Sequence, residues 1–223
     1  SDGSITSTVQ ANTDAGFSIV TYTGNATIGA TIGHGLGVKP DMIIFKNRDS
    51  TAGWATYHKE LGATKLSYLN LTNASVSSDA HVNNTEPTDT LITLHDHVLT
   101  NASDAYVAYC FHSVEGYSKF GSYTGNGNAD GTFVYVGFKP AYVMIKKTSG
   151  TGSWNIIDLA RGDDDAYLSA NSSNAEGVMT NGSFELLSNG FKLRNTFSEW
   201  NASGSTYIYM AFAEAPFKYA NAR

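Results

Sequence analysis

The stretch Gly37–His58, "GVKPDMIIFKNRDSTAGWATYH", lies without a gap over Gly137–Asp158, "GFKPAYVMIKKTSGTGSWNIID". Six of these 22 aligned positions are identical, namely Gly37/Gly137, Lys39/Lys139, Pro40/Pro140, Lys46/Lys146, Thr51/Thr151 and Trp54/Trp154. Only about one or two would agree by chance, so the match marks an internal repeat. It extends outward in both directions. "TYTGN" (Thr21 to Asn25) returns as "SYTGN" (Ser122 to Asn126), Asn101-Ala102-Ser103 as Asn201-Ala202-Ser203, and "YVAYCF" (Tyr106 to Phe111) as "YIYMAF" (Tyr207 to Phe212). The order of features predicts an N-terminal linker over 1–15, one β repeat over 16–116, a second over 117–217 and a tail over 218–223. No Pro/Ser-rich or charged linker separates the copies, which predicts that they pack closely together.

Both prolines open an apolar run, "DMIIFK" or "AYVMIK". Proline suits the start of a strand, where its missing N–H takes nothing from the ladder, and β-branched and aromatic residues suit the pleat that follows. Short runs such as "FSIVTY", "WATYH", "TLITL", "TFVYV", "WNIID", "FELL" and "FKLR" are bounded by Gly, Asn, Asp or Ser. "YIYMAF" would be apolar on both faces, as a strand covered on each side. The best helical candidate, "HKELGATKLSYL", is interrupted by Gly62, which costs about 1 kcal/mol relative to alanine and limits it to a short turn. The fold class is therefore all-β, with two pseudo-repeated β-sandwich or jelly-roll-like units of about 100 residues. At the Y-T-G-N corners, Gly24 and Gly125 are expected to supply a positive φ, with Asn25 and Asn126 tolerating it next.

The 223 residues are 41% hydrophobic but only 15% charged, against roughly 25% charged in soluble domains, with a net charge of -6. Lys and Arg form no run, which argues against nucleic acid and anionic lipid as partners. No apolar stretch approaches the roughly 20 residues that span a bilayer, and the N-terminal stretch has no signal-peptide pattern. The single cysteine, Cys110, sits in an apolar run and reads as a small core residue.

The phrases "GFSIVTYTGN", "IGHGLGVKPDMIIFKNR", "VEGYSKFGSYTGNG", "FVYVGFKPAYVMIKK" and "NASGSTYIYMAFAEAPFKYANAR" resemble a duplicated β-rich module of tail-fibre and other appendage proteins of tailed bacteriophages, particularly those of marine and cyanobacterial hosts. The resemblance covers nearly the whole chain from Gly16. It implies an extracellular virion module concerned with host attachment, in contact with other virion proteins and commonly trimeric. It carries no agreed set of binding residues. The low-charge, Ser/Thr/Asn/Gly-rich composition fits a β module whose edges are blunted or closed by neighbours.

Among candidate ligand-binding residues, Trp54 and Trp154 occupy the same place in both copies. Each is either a sugar-stacking platform or a core residue. Strand alternation puts His58 on the side of Trp54 and Asp158 on the side of Trp154. "HDH" (His95 to His97) would place two imidazoles on one face if it were a strand, with His81 and His112 as further ligands, but a solvated turn is the simpler reading and no metal is assigned. "RGDDD" (Arg161 to Asp165) reads as a turn opposite Gly62, with calcium the alternative. The N-x-S/T triplets at Asn25, Asn70, Asn73, Asn83, Asn101, Asn171, Asn181 and Asn201 are N-glycosylation acceptors only in a eukaryotic secretory context; at Asn101 and Asn201 the reading is a shared turn in which the Asn side chain bonds its own backbone. No catalytic motif is present, so no enzymatic activity and no cofactor are expected. Three functions remain open: receptor binding to a host-surface glycan or protein, a structural or decoration role in the fibre, and polysaccharide depolymerisation. Binding is to be sought where the copies differ.

Overall fold

The computed structural model describes residues 2–161, 166–179 and 184–215. Two compact units divide the chain. The first contains residues up to Asn70 together with Ser75–His112; the second contains Leu71–Ala74 and the chain from Ser113 onward.

In the first unit the strands are β1 (Ser7–Asn12), β2 (Phe17–Thr23), β3 (Thr31–Gly33), β4 (Met42–Asn47), β5 (Ala55–His58), β6 (Lys65–Tyr68), β7 (Val76–Ser77), β8 (Leu91–Thr93) and β9 (Ala105–Phe111). The second has β10 (Ser118–Thr124), β11 (Phe133–Tyr135), β12 (Pro140–Lys147), β13 (Trp154–Asp158), β14 (Ala166–Ser169), β15 (Gly177–Val178), β16 (Phe184–Leu187), β17 (Gly190–Leu193) and β18 (Thr206–Ala213), with one 3-10 turn at Leu159–Arg161. Among the described residues there is no α-helix, so the protein is all-β. One large sheet runs β1-β2-β9-β4-β5-β6-β7, and the other β10-β18-β12-β13-β14-β15. From β2 and from β10 the two orders correspond strand for strand. A small sheet, β3-β8 in the first unit and β11-β17-β16 in the second, completes each.

Alternation explains the layers. In β2, Ser18, Val20 and Tyr22 are buried while Phe17, Ile19 and Thr21 are half-buried, and β9 buries Tyr106, Ala108 and Cys110 in the same way. Residues from both sheets meet in one cluster per unit. In the first, Ile32 and Ile92 of the small sheet join Val20, Phe45, Tyr57 and Tyr106; in the second, Val134, Phe184 and Phe191 join Tyr123, Ile145 and Tyr207. Unequal layers of this kind fit a β-sandwich. β18 is buried on both faces from Tyr207 to Ala211, as its unbroken apolar run requires.

Two local expectations change, and one, the short turn after His58, holds. Residues 1–15 are not simply a linker, because Ser7–Asn12 pairs antiparallel with β2 and covers its edge. The helical candidate after His58 is a turn, in which Leu61 and Gly62 N–H groups bond the His58 carbonyl and Gly62 takes φ +72°, leading into β6. Gly24 and Gly125 do not have positive φ; at these corners that conformation falls two residues on, on Ala26 at +52° and Gly127 at +65°. What Gly24 and Gly125 supply is room. A Cβ at Gly24 would lie 1.9 Å from the Ala102 carbonyl oxygen, and one at Gly125 would lie 2.4 Å from that of Ala202.

That close approach belongs to a latch between the "YTGN" corner and the "NAS" corner of each unit. Asn101 Oδ1 accepts from the Asn25 N–H at 2.9 Å, and its amide donates to the Thr27 carbonyl at 2.9 Å. In the second unit Asn201 Oδ1 accepts from the Asn126 N–H at 3.0 Å, and its amide donates to the Asn128 carbonyl at 2.9 Å. Above each latch two tyrosines stack, Tyr22 on Tyr106 at 5.3 Å and Tyr123 on Tyr207 at 4.9 Å. Their hydroxyls reach the same loops: Tyr22 donates to the Thr100 carbonyl and Tyr123 to the Trp200 carbonyl. Both asparagines bond a distant corner, and Asn201 also donates to the Asn195 carbonyl of its own loop. Gly24→Ala or Gly125→Ala is expected to force these corners apart and to cost about 2–4 kcal/mol, read as a fall in the urea midpoint.

Two lysines staple corresponding hairpins. Lys46 Nζ donates to the Ser50 and Ala52 carbonyls at 3.2 and 2.7 Å. Lys146 Nζ, fully buried, donates to the Gly152 and Thr72 carbonyls at 2.5 and 2.9 Å. Burial draws the Lys146 ammonium down to a pKa of about 8.

Candidate functional site

β11 reads F-V-Y, and its register places Val134 opposite Phe191 in the core. Phe133 and Tyr135 therefore point to the other side, where they are 43% and 65% exposed. Across the ladder, Phe133 faces Lys192 and Tyr135 faces Gly190; one strand further, Glu185 faces Lys192 and Leu187 faces Gly190. The outer face of the β11-β17-β16 sheet is thus a row of two aromatic rings beside a row of charged residues.

Gly190 makes this arrangement possible. A Cβ there would lie 2.1 Å from the Val134 carbonyl oxygen and 3.0 Å from the Phe133 ring, so glycine lets β11 close on β17 and lets the ring lie over the strand. The charged residues are paired. Lys192 Nζ stands 2.6 Å from Asp130 Oδ1; Arg194 reaches the same oxygen at 3.3 Å and Glu185 Oε2 at 2.8 Å. The Lys192 hydrogen bond holds the Asp130 carboxyl below its ordinary range, and the Glu185 hydrogen bond raises Arg194 further. Two acids and two bases cancel. In chemical terms the face offers apolar ring surface flanked by fixed donors and acceptors, the combination that packs on the C–H face of a sugar while binding its hydroxyls.

The corresponding small sheet of the first unit has no such face. Its Thr31 and Gly33 oppose Thr93 and Leu91, and residues Asp2 to Ile5 lie against β3, with the Ile5 N–H on the Thr31 carbonyl at 3.0 Å. The aromatic row is a difference between the units.

The tryptophans answer differently from each other. Trp154 is 2% exposed and its ring has no face open within its unit. Trp54 is half-buried, with the Lys46 ammonium 5.9 Å from its ring centre. Both backbone N–H groups donate to an asparagine Oδ1, that of Asn70 for Trp54 and of Asn171 for Trp154, so both positions are structural corners. His58 is fully buried, with its Nδ1 accepting the Glu60 N–H at 3.2 Å, while Asp158 is half-buried and caps the following turn through the Ala160 N–H. Trp154 and His58 thus have no surface to offer a ligand, and for Trp154 the core reading holds. Trp154→Ala is expected to cost about 3–5 kcal/mol and Trp54→Ala about 1–2 kcal/mol, measured as the difference in denaturant midpoints.

His95–His97 lies in a loop after β8, not on a strand. His95 is 2.9 Å from Asp96 and 3.6 Å from Asp79, whereas the His97 Nδ1 accepts the Leu99 N–H. His112 Nδ1 bonds the Lys39 carbonyl, and His81 is buried. Among the described residues no group of three or more His, Cys, Asp or Glu is placed to hold a metal ion. Most of the "RGDDD" motif, Gly162 to Asp165, lies outside the described residues, as does the triplet at Asn181. Asn101 and Asn201 are fully buried and cannot be modified in the folded chain. Cys110 is buried, and burial pushes its thiol up to about 12, which leaves it an inert core group.

No curated protein and no solved structure matches the chain. A family model does, over residues 1–216, and the chain accordingly belongs to the family described as "Domain of unknown function (DUF7483)".

Proposed function

We propose that the chain is a module of a phage tail fibre or appendage that attaches the virion to a host-surface glycan through the Phe133/Tyr135 face. The observation that carries this reading is the exposed aromatic pair at alternate positions of β11, beside the Asp130, Lys192, Arg194 and Glu185 ion pairs. Aromatic rings of this size are ordinarily buried in a core; two in a row on an open sheet face mark a surface built to be covered. The sequence resemblance to tail-fibre modules supplies the setting: an extracellular virion component, assembled with other virion proteins and commonly as a trimer, whose work is adhesion.

Incubating the chain with cyanobacterial cells and with polysaccharide extracted from their surface tests the reading. Saturable, sugar-competed binding that falls about tenfold in Tyr135→Ala, with an unchanged melting temperature, is the expected result. Absence of binding together with stable self-association would replace it with a structural role in the fibre. A falling polysaccharide size would replace it with a depolymerase.

A further inference from the structure

Resting on the glycan-binding reading above, we infer that the ligand is an uncharged, extended polysaccharide that lies along β11 and seats two consecutive sugar rings, one on Phe133 and one on Tyr135. Alternate residues of a strand project from one face about 7 Å apart. The aromatic row follows the strand direction and ends after two rings, because the neighbouring columns present Gly190 with Lys192, and Leu187 with Glu185. A face of this shape accepts a polymer running across it. A reader of single terminal sugars instead needs a concave pocket that encloses the ring.

Charge selects among polymers. Lys192 and Arg194 are already held by Asp130 and Glu185, at 2.6 and 2.8 Å, so the face presents no unmatched cation. Asp130 is the most exposed of the four, its side chain 76% accessible, and an acidic sugar would meet it first. Hydroxyls suit the face better than carboxylates or sulfates: they can donate to Asp130 or Glu185 and accept from Lys192 or Arg194 without breaking either pair. Because Thr31, Gly33, Leu91 and Thr93 replace these residues in the first unit, the described residues of each chain carry one such row.

Affinity electrophoresis through gels containing neutral galactomannan, neutral β-glucan or acidic alginate tests the inference. The expected result is retardation by a neutral polymer, reduced about tenfold by Phe133→Ala or Tyr135→Ala and unchanged from about 50 mM to about 500 mM NaCl. A tetrasaccharide of that polymer should compete and its monosaccharide should not. Retardation by alginate alone, weakened by salt and lost in both variants, would overturn the uncharged-ligand inference while leaving glycan binding standing. Equal competition by the monosaccharide would overturn the two-ring seating. Retardation by no polymer, or retardation that survives both substitutions, would overturn both readings; self-association lost in Tyr135→Ala would then make a second copy of the chain the occupant. Both substitutions remove exposed side chains, and an unchanged melting temperature confirms that each variant is folded.

Discussion

Asn201→Ala lowers the stability of the second unit by about 3–4 kcal/mol, and Asn101→Ala does nearly the same to the first. Each side chain is fully buried and uses both ends of its amide. Asn201 Oδ1 takes the Asn126 N–H, while its Nδ2 donates to the Asn128 and Asn195 carbonyls at 2.9 and 2.7 Å. Alanine strands those groups where water cannot replace the amide, and each orphan costs about 1–3 kcal/mol. Aspartate gives a sharper test. Asn101→Asp keeps the acceptor for the Asn25 N–H but turns a carboxylate oxygen toward the Thr27 carbonyl, so acceptor faces acceptor. Protonation restores a donor, so the Asn101→Asp variant should recover part of its loss, relative to wild type, as pH is lowered from 7 to 4. Urea midpoints at the two pH values measure this. If Asn201→Ala shifted the midpoint by less than about 1 kcal/mol equivalent, the latch would be decoration on a corner held by something else.

Acidification should loosen the first unit and spare the second. All six histidines fall between His34 and His112. His81 is fully buried, with its ring 6.5 Å from that of Tyr57 and neither nitrogen in a hydrogen bond of ordinary geometry. Burial holds its pKa at about 4 against 6.5 for a solvated imidazole, even though the Lys65 carbonyl and the Asp79 and Glu86 carboxylates favour the charged ring. Burial also lowers His34. Between pH 6.5 and about 4 the unfolded chain therefore binds a proton at His81 that the folded chain refuses. Stability falls through that window as pH drops and loses nothing more from this group below it. The His81 contribution is about 3 kcal/mol. Hydrogen exchange at the Ile43 and Val143 amides should show protection falling at the first and holding at the second, and His81→Leu should flatten the slope. Equal loss in both units would assign the acid response to carboxylates instead.

The strands were legible because their pattern is local. The stretch Gly37–His58 covers β4 and β5, and Gly137–Asp158 covers β12 and β13, where a proline followed by an apolar run marks each first strand from its own few residues. The purpose of Gly24 was not legible, since the carbonyl that excludes a Cβ belongs to Ala102, far along the chain. The same holds for Asn101, whose partners Asn25 and Thr27 lie 76 and 74 residues away. For the exposed aromatic face, "TFVYV" shows that Phe133 and Tyr135 share a side, but only the register with Phe191 decides that Val134 takes the core and the rings take the outside. The tryptophans drew attention because they recur in both copies, and recurrence marked a shared corner.

The buried ammonium of Lys146 limits how the chain can be cut. One of its two carbonyl partners, Thr72, comes from Leu71–Ala74, four residues that precede the rest of the second unit by some forty positions and belong to it nonetheless. The Thr72 carbonyl also accepts the Gly152 N–H at 2.9 Å. A recombinant fragment starting at Ser113 would omit this peptide and leave a cation and an amide without their shared acceptor. Dissection at the midpoint of the sequence would therefore yield a damaged half, and supplying residues 71–74 in trans or by a short fusion would be the way to repair it.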